Sequence, residues 1–202
     1  MILDRLVGIF GLLFVAAIAA RIYIVSRKIN KSPIARIEGD TAHGYVHKLL
    51  AVVIALQAWN IMLYRLQEFR PNVPIYQYLV PLPVLQTTVI QVLGLSLAYL
   101  GLAWSVVAQT QMGRNWRIGN HEQDDTELIR HGLYNVSRHP IYVGFIAIAF
   151  GIFLATPNVL SLVCAIITLL VLSILARMEE EFQISRHGEA YKHFMSRTRR
   201  WI

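Results

Sequence analysis

Five long apolar stretches constrain the fold of this chain more than any other feature. They run from Leu6 to Val25, from about Leu49 to Tyr64, from about Val89 to Ala108, from Ile141 to Ala155 and from Val159 to Ala176. An apolar run of about twenty residues can cross the hydrocarbon core of a bilayer as a helix, although the fourth stretch is short for a span. The sequence therefore predicts an all-α integral membrane protein with about five transmembrane helices.

The composition supports a membrane protein over a soluble one. Hydrophobic residues make up 55% of the 202 residues and charged residues only 15%, whereas a soluble domain is about 45–50% apolar and about 25% charged. The net charge of +7 could indicate nucleic-acid binding, but basic and aromatic residues do not interleave as they do on such surfaces. The single cysteine, Cys164, excludes a disulfide or a Cys-rich metal site within one chain. We therefore expect membrane lipids as partners, no nucleic acid and no metal.

The last two apolar stretches are separated only by Thr156-Pro157-Asn158. A short break that contains proline is typical of a turn, so a helical hairpin is predicted over residues 141–176. We expect two regions: N-terminal transmembrane helices in residues 1–108, and a region over 109–202 that contains the hairpin and a C-terminal tail.

Polar and small residues inside the apolar stretches indicate how the helices pack. Gln57 and Asn60 lie on one helical face, where they are expected to form interhelical hydrogen bonds. Arg21 is expected to extend its side chain to the membrane interface. Small residues allow helix backbones to approach closely, and a stripe of them predicts a packing face on the third helix: Gly94, Ala98, Gly101 and Ser105.

Basic residues are concentrated in the segments that would face one side of the membrane. That side carries Arg27, Lys28, Lys31, Arg36, Lys48, Arg114, Arg117, Arg130, Arg138, Arg177, Arg186, Lys192, Arg197, Arg199 and Arg200, and the other carries Arg5, Arg65 and Arg70. Because cytoplasmic loops are enriched in Lys and Arg, we expect an external N-terminus, a cytoplasmic C-terminus and an inner or plasma membrane. Positive charge after the first stretch favours a retained anchor over a cleaved signal peptide.

Polar residues that could carry chemistry are concentrated on the predicted cytoplasmic side after residue 109. Arg138 and His139 precede Pro140, which suits the first turn of a helix, and a helix N-terminus favours anionic groups. The glutamates 179–181 follow the last stretch, and they require a cationic partner that Arg177 could partly supply. This pattern predicts a cytoplasmic site for a zwitterionic ligand beside an apolar wall, and S-adenosylmethionine has matching parts.

An ordered set of motifs over residues 109–202 resembles the isoprenylcysteine carboxyl methyltransferase and phospholipid methyltransferase families. The set comprises Asn115-Trp116, Gly132-Leu133-Tyr134, Arg138-His139-Pro140-x-Tyr142, Glu180-Glu181 and Gly188-x-x-Tyr191. The resemblance implies a membrane methyltransferase with S-adenosylmethionine as methyl donor. It also implies a lipophilic or prenylated acceptor, similar to an isoprenylcysteine carboxylate, that enters laterally from the bilayer.

The resemblance also implies roles for individual residues. Cofactor binding is implied for His139, Tyr142, Glu180, Glu181, Tyr134 and Tyr191, and Arg138 and Arg200 would orient an anionic substrate or support the pocket. Glu179 is a third acid where the family has two. The sequence therefore does not decide which two of the three glutamates 179–181 correspond to the acids of the family. A carboxylate acceptor is ionised at neutral pH, whereas an amine or thiol acceptor would need a base that is not obvious.

Two other classes of protein remain as alternatives. An NADPH-dependent membrane sterol-type reductase would need clustered Arg or Lys for the extra phosphate, and glutamates 179–181 serve that phosphate poorly. A non-catalytic membrane protein such as a transporter should show ionisable residues at mid-membrane depth. The third to fifth apolar stretches contain none, which favours the methyltransferase.

Overall fold

The computed structural model describes residues 2–34, 41–69, 74–116 and 128–202, and Arg36, Arg70 and Arg117 of the charge pattern lie outside these ranges. Regular secondary structure across the described residues is helical, which confirms the all-α prediction. The α-helices are α1 (Ile2–Ile29), α2 (Ala42–Phe69), α3 (Thr88–Met112), α4 (Pro140–Ala155), α5 (Val159–His187) and α6 (Glu189–Arg197). The predicted boundary between residues 108 and 109 falls inside α3.

Four of these helices are long and apolar enough to cross a membrane. They are α1, residues Ala42–Gln67 of α2, α3 and α5, whereas α4 is a shorter apolar helix of 16 residues. The membrane class is thereby supported, with four helices of full spanning length in the described residues where the sequence predicted about five. The short one is the fourth, whose apolar stretch was already the shortest.

The short helix α4 lies at the centre of the bundle. It packs along α3 on one side and against α5 on the other, while α1 contacts α2 and α3, and α2 contacts α5. One core cluster joins Phe10 of α1 and Ala98 of α3 to Ile148 and Ile152 of α4. Because α3 and α5 pack against α4, the N-terminal end of α4 is held in a defined position.

Glycines on both helices allow α3 and α4 to pack closely, which confirms the predicted packing face. A Cβ atom on Gly101 would lie 2.8 Å from the carbonyl oxygen of Gly144. A Cβ atom on Gly151 would lie 2.5 Å from the backbone nitrogen of Ala98. Lipid provides no hydrophobic driving force between helices, so close van der Waals packing of small residues holds this pair together.

Buried amides hold the turn of the predicted hairpin, which is confirmed between α4 and α5. Asn60 of α2 donates to Thr156 Oγ1 at 2.9 Å and accepts from Asn158 Nδ2 at 2.7 Å. Asn158 also caps α5 reciprocally with Ser161. Asn60 thus forms the predicted interhelical bonds. The amide of Gln57, by contrast, is buried without a hydrogen-bond partner among the described residues, so the prediction for it was wrong.

The side chain of Arg21 turns into the helix bundle, where the residue is only 7% exposed. The guanidinium donates to the carbonyl oxygens of Gln109 and, at 2.7 Å, Gly113, and it lies 5.5 Å from the ring centre of Trp116. The last carbonyls of a helix lack intrahelical donors and carry partial negative charge, so the C-terminal end of α3 attracts this cation into the bundle.

Candidate active site

Three distant segments meet at the N-terminal end of α4. The backbone N–H of Arg138 donates to the carbonyl oxygen of Arg199 at 2.9 Å, and Ser137 Oγ donates to the carbonyl oxygen of Arg200 at 3.0 Å. Ser137 and Arg199 form a parallel bridge. The C-terminal tail therefore lies alongside the residues that lead into α4, close to where α5 carries its glutamates.

The carboxylate of Glu180 is held by two arginines. Nε and Nη2 of Arg138 lie 2.9 and 2.8 Å from Oε1, and Nε and Nη2 of Arg200 lie 3.0 Å from Oε1 and 2.6 Å from Oε2. Arg138 also donates to the carbonyl oxygen of Thr198 at 2.7 Å. The Glu180 side chain is 3% exposed, so this ion cluster links α5 to the entrance of α4 and to the tail.

Glu179 faces the same region but remains partly open to solvent. The hydroxyl of Tyr142 donates to Glu179 Oε1, His139 Nδ1 lies 3.3 Å from its Oε2, and the side chain is 41% exposed. The rings of His139 and Tyr142 stack in parallel, with their centres 5.5 Å apart. Glu179 is thus the less buried of the two carboxylates, beside an aromatic wall.

His139 is buried next to both carboxylates. Its Nε2 atom lies 3.4 Å from Glu180 Oε1 and forms no hydrogen bond. Burial by itself favours the neutral imidazole, but attraction from Glu179 and Glu180 outweighs it and raises the pKa of His139 above its ordinary value. A protonated His139 would therefore be stabilised in this position.

The structure does not bring Glu181 into this cluster, although the resemblance implied a role for it. Its carboxylate lies 3.8 Å from Nε of Arg177, and both side chains are exposed. Successive residues of an α-helix are rotated by roughly 100°, so three consecutive glutamates cannot all face one site. The pair that faces the N-terminal end of α4 is Glu179 and Glu180, and the sequence alone left this open.

Tyr134 and Tyr191 lie next to the charged cluster and are both buried. Gly188 ends α5 with a φ of 53°, a left-handed conformation that favours glycine. Helix α6 then begins and places Tyr191 against Phe194, with ring centres 5.8 Å apart.

Both tyrosines are harder to ionise than a free tyrosine. Burial, with the negative charge of Glu180, raises the pKa of Tyr191. Burial and Glu179 likewise raise the pKa of Tyr134, partly offset by Arg21. Both phenols therefore stay neutral at physiological pH.

Some neighbours of the site were not predicted from the sequence. The ring of Trp201 lies 6.3 Å from that of His139, centre to centre. The sequence feature that could have indicated this contact is an aromatic residue within an Arg-rich tail. His43, at the start of α2, is close enough to Glu179 to attract it electrostatically. Nothing in the sequence pattern links residues so far apart in the chain.

The described residues match a zwitterionic ligand in chemistry. A partly exposed carboxylate on Glu179 can accept a cationic group, the buried Nε2 of His139 has no hydrogen bond, and the rings of Tyr142 and Trp201 provide flat apolar surface. The part of the chain that the structure describes contains no group of three or more His, Cys, Asp or Glu side chains arranged to hold a metal ion.

Comparison with known proteins identifies the family of this chain. Residues 89–190 match the sequence profile of the phospholipid methyltransferase family. Protein-S-isoprenylcysteine O-methyltransferase from Saccharomyces cerevisiae is 31% identical over 131 residues, which cover 63% of this chain and 53% of the yeast protein. The chain thus spans about half the length of that relative. The resemblance seen in the motifs around Arg138 and Glu180 is confirmed, and the chain belongs to the phospholipid methyltransferase family.

Proposed function

We propose that this protein is an integral membrane methyltransferase that transfers a methyl group from S-adenosylmethionine to a lipophilic acceptor. The observation that carries the proposal is the position of Glu179 and His139 beside the ion cluster of Glu180. These residues lie within the segment that matches the phospholipid methyltransferase family. Membership of that family implies a methyl donor, and the charges of the site favour a zwitterionic one.

Glu179, His139 and Tyr142 would hold the methyl donor. The carboxylate of Glu179 would receive its cationic part, because it is the acid that remains accessible after the arginines have neutralised Glu180. The Nε2 atom of His139, which lies 3.4 Å from Glu180 Oε1 but forms no hydrogen bond, can hydrogen-bond a polar group of the ligand. When bound, S-adenosylmethionine supplies an electrophilic methyl group on a sulfonium. Bringing the two reactants together in a fixed orientation can account for much of the rate increase of such a transfer.

Arg138 and Arg200 would support the site rather than contact the acceptor. Both guanidiniums contact the carboxylate of Glu180, and Arg138 also bonds the backbone at the end of α6. A charged group that already has a carboxylate partner is less available to an anionic substrate. Of the two roles implied by the resemblance, the contacts favour support of the pocket.

The acceptor proposed is a prenylated cysteine carboxylate. The name of the yeast relative specifies isoprenylcysteine, and a site at the ends of apolar helices would lie beside the bilayer, from which a prenyl chain can enter laterally. A carboxylate is already ionised at neutral pH and needs no general base. The excess of basic residues on one side favours a cytoplasmic location for the site and an external N-terminus.

Calorimetric titration of the detergent-purified protein tests the proposal. We expect micromolar binding of S-adenosylmethionine, no comparable binding of NADPH, and at least tenfold weaker binding in Glu179→Gln. Glu181→Gln is the matched control, because Glu181 lies on the exposed face of α5 and its loss should leave binding unchanged. Binding of NADPH instead would favour a reductase, and binding of neither ligand would favour a non-catalytic protein.

Methyl transfer is tested separately with labelled S-adenosylmethionine and an N-acetylated S-prenyl cysteine. Label should appear in the prenyl cysteine as a base-labile ester, and an acceptor whose carboxyl is blocked as an amide should remain unlabelled. Binding of the donor without any transfer to this acceptor would retain the methyltransferase class and reject the proposed acceptor.

A further inference from the structure

Arg21 is a buried cation that the proposed chemistry does not use. It lies in α1, outside residues 89–190 that match the family, and is 7% exposed. Charged residues inside membrane helices are costly and usually mark a functional site. Among the described residues, no Asp or Glu pairs with Arg21. Its known partners are the carbonyl oxygens of Gln109 and Gly113.

These two carbonyls balance the guanidinium only in part. The C-terminal end of a helix carries roughly half a negative charge, whereas an arginine carries a full positive one. In addition, the Nε atom of Arg21 is buried and forms no hydrogen bond. A buried charge with an unsatisfied donor calls for a further partner, and for a guanidinium the best match in shape and charge is a carboxylate.

The position of Arg21 connects it to the candidate active site. Its guanidinium lies over Trp116, 5.5 Å from the ring centre, at the C-terminal end of α3. This end of α3 is joined to the segment that carries Tyr134, because the backbone N–H of Leu133 donates to Gln111 Oε1 at 2.8 Å, and Arg21 is close enough to Tyr134 to interact with it electrostatically. This end of the helix bundle thus contains a carboxylate that favours a cation, Glu179, and a guanidinium that favours an anion.

We propose that Arg21 binds a carboxylate of a ligand in the active site. This inference rests on the proposed function, and the carboxylate has two possible sources: the amino-acid part of the methyl donor, or the acceptor. Both would use the same chemistry, a charge-assisted hydrogen bond from the buried Nε–H. Arg21 would thereby give α1 a direct part in ligand binding.

The test compares Arg21→Gln and Arg21→Lys with Arg27→Gln as the matched control. Arg27 lies in the same helix, is exposed, and its guanidinium is similarly placed over an aromatic ring, that of Tyr23. Two quantities are measured: the ratio of affinities for S-adenosylmethionine and its decarboxylated analogue, and KM and kcat for the prenyl cysteine at saturating donor.

The two sources give different results. If the donor supplies the carboxylate, Arg21→Gln lowers the affinity ratio at least tenfold and Arg27→Gln leaves it unchanged. If the acceptor supplies it, donor affinity is unchanged and KM for the prenyl cysteine rises at least tenfold with kcat retained. Arg21→Lys keeps the charge that caps α3 but lacks the Nε–H, so it should show the same change even if Arg21→Gln does not fold.

Other outcomes overturn the inference. An unchanged affinity ratio and an unchanged KM in folded variants would mean that Arg21 acts only as a cap of α3. Lower thermal stability, with affinity lost to the same extent for both donors and for the prenyl cysteine, would also mean that Arg21 acts only as a cap of α3. Failure of the wild-type protein to bind S-adenosylmethionine at all would instead reject the proposed function, so the two failures are distinguishable.

Discussion

Replacing Glu180 with glutamine removes the negative charge at the centre of the ion cluster while preserving the shape of the side chain. In the native protein this carboxylate has four close contacts with the guanidiniums of Arg138 and Arg200. Side-chain exposure is 3% for Glu180, 10% for Arg138 and 30% for Arg200. When the charge of Glu180 is removed, water can therefore hydrate the guanidinium of Arg200 in part, but it can hydrate that of Arg138 very little.

The expected cost follows from this burial. Removing one partner of a buried ion pair typically destabilises a protein by about 3–5 kcal/mol, and partial hydration of Arg200 places Glu180→Gln near the lower end, about 3 kcal/mol. For a chain of this size each kcal/mol lowers Tm by roughly 2–4 °C, so Tm should fall by roughly 6–12 °C. Glu181→Gln is the control, because its exposed pair with Arg177 contributes at most about 1 kcal/mol.

Thermal unfolding of the purified variants in one detergent measures the difference, and limited trypsin digestion provides a second readout. Loss of the cluster should release the tail, so cleavage after Arg197 and Arg199 should accelerate in Glu180→Gln and not in Glu181→Gln. Equal Tm values and equal cleavage rates in the two variants would refute the idea that the ion cluster stabilises the fold and holds the tail.

Three further predictions concern packing and pH. Gly151→Ala places a Cβ atom 2.5 Å from the nitrogen of Ala98 and should cost roughly 1–3 kcal/mol; a Tm equal to that of the wild type would contradict the close packing of α3 and α4. Asn60→Leu removes two buried side-chain hydrogen bonds at the hairpin turn and should cost roughly 1–3 kcal/mol, measured by chemical unfolding; an unchanged free energy of unfolding would show that the Asn60 amide does not stabilise the turn. Because the pKa of His139 is raised in the folded state, its protonated form stabilises the protein below the unfolded pKa of about 6.5, and this contribution is lost as pH rises through the folded pKa. The fall in Tm between about pH 6 and about pH 9 should therefore be larger in the wild type than in His139→Gln; equal falls would exclude this role.

The class of fold could be predicted from the sequence alone, because its physical cause is local. In lipid every backbone polar group must be satisfied within the protein, so long apolar runs must form helices. The packing face of Gly94, Ala98, Gly101 and Ser105 was equally visible, since helical periodicity depends only on spacing along the chain. The motif around Arg138 and His139 indicated where the candidate site lies for a similar reason, since proline marks the start of α4.

The partners of the charged groups were decided only by the tertiary structure. Three consecutive glutamates contain no information about which of them faces α4; the rotation of α5 against its neighbours determines that Glu179 and Glu180 do. The sequence of α1 alone does not show which groups Arg21 contacts; the C-terminal end of α3 lies beside it and offers carbonyls. Contacts between residues far apart in the chain depend on how whole helices pack, and local sequence patterns do not encode that packing.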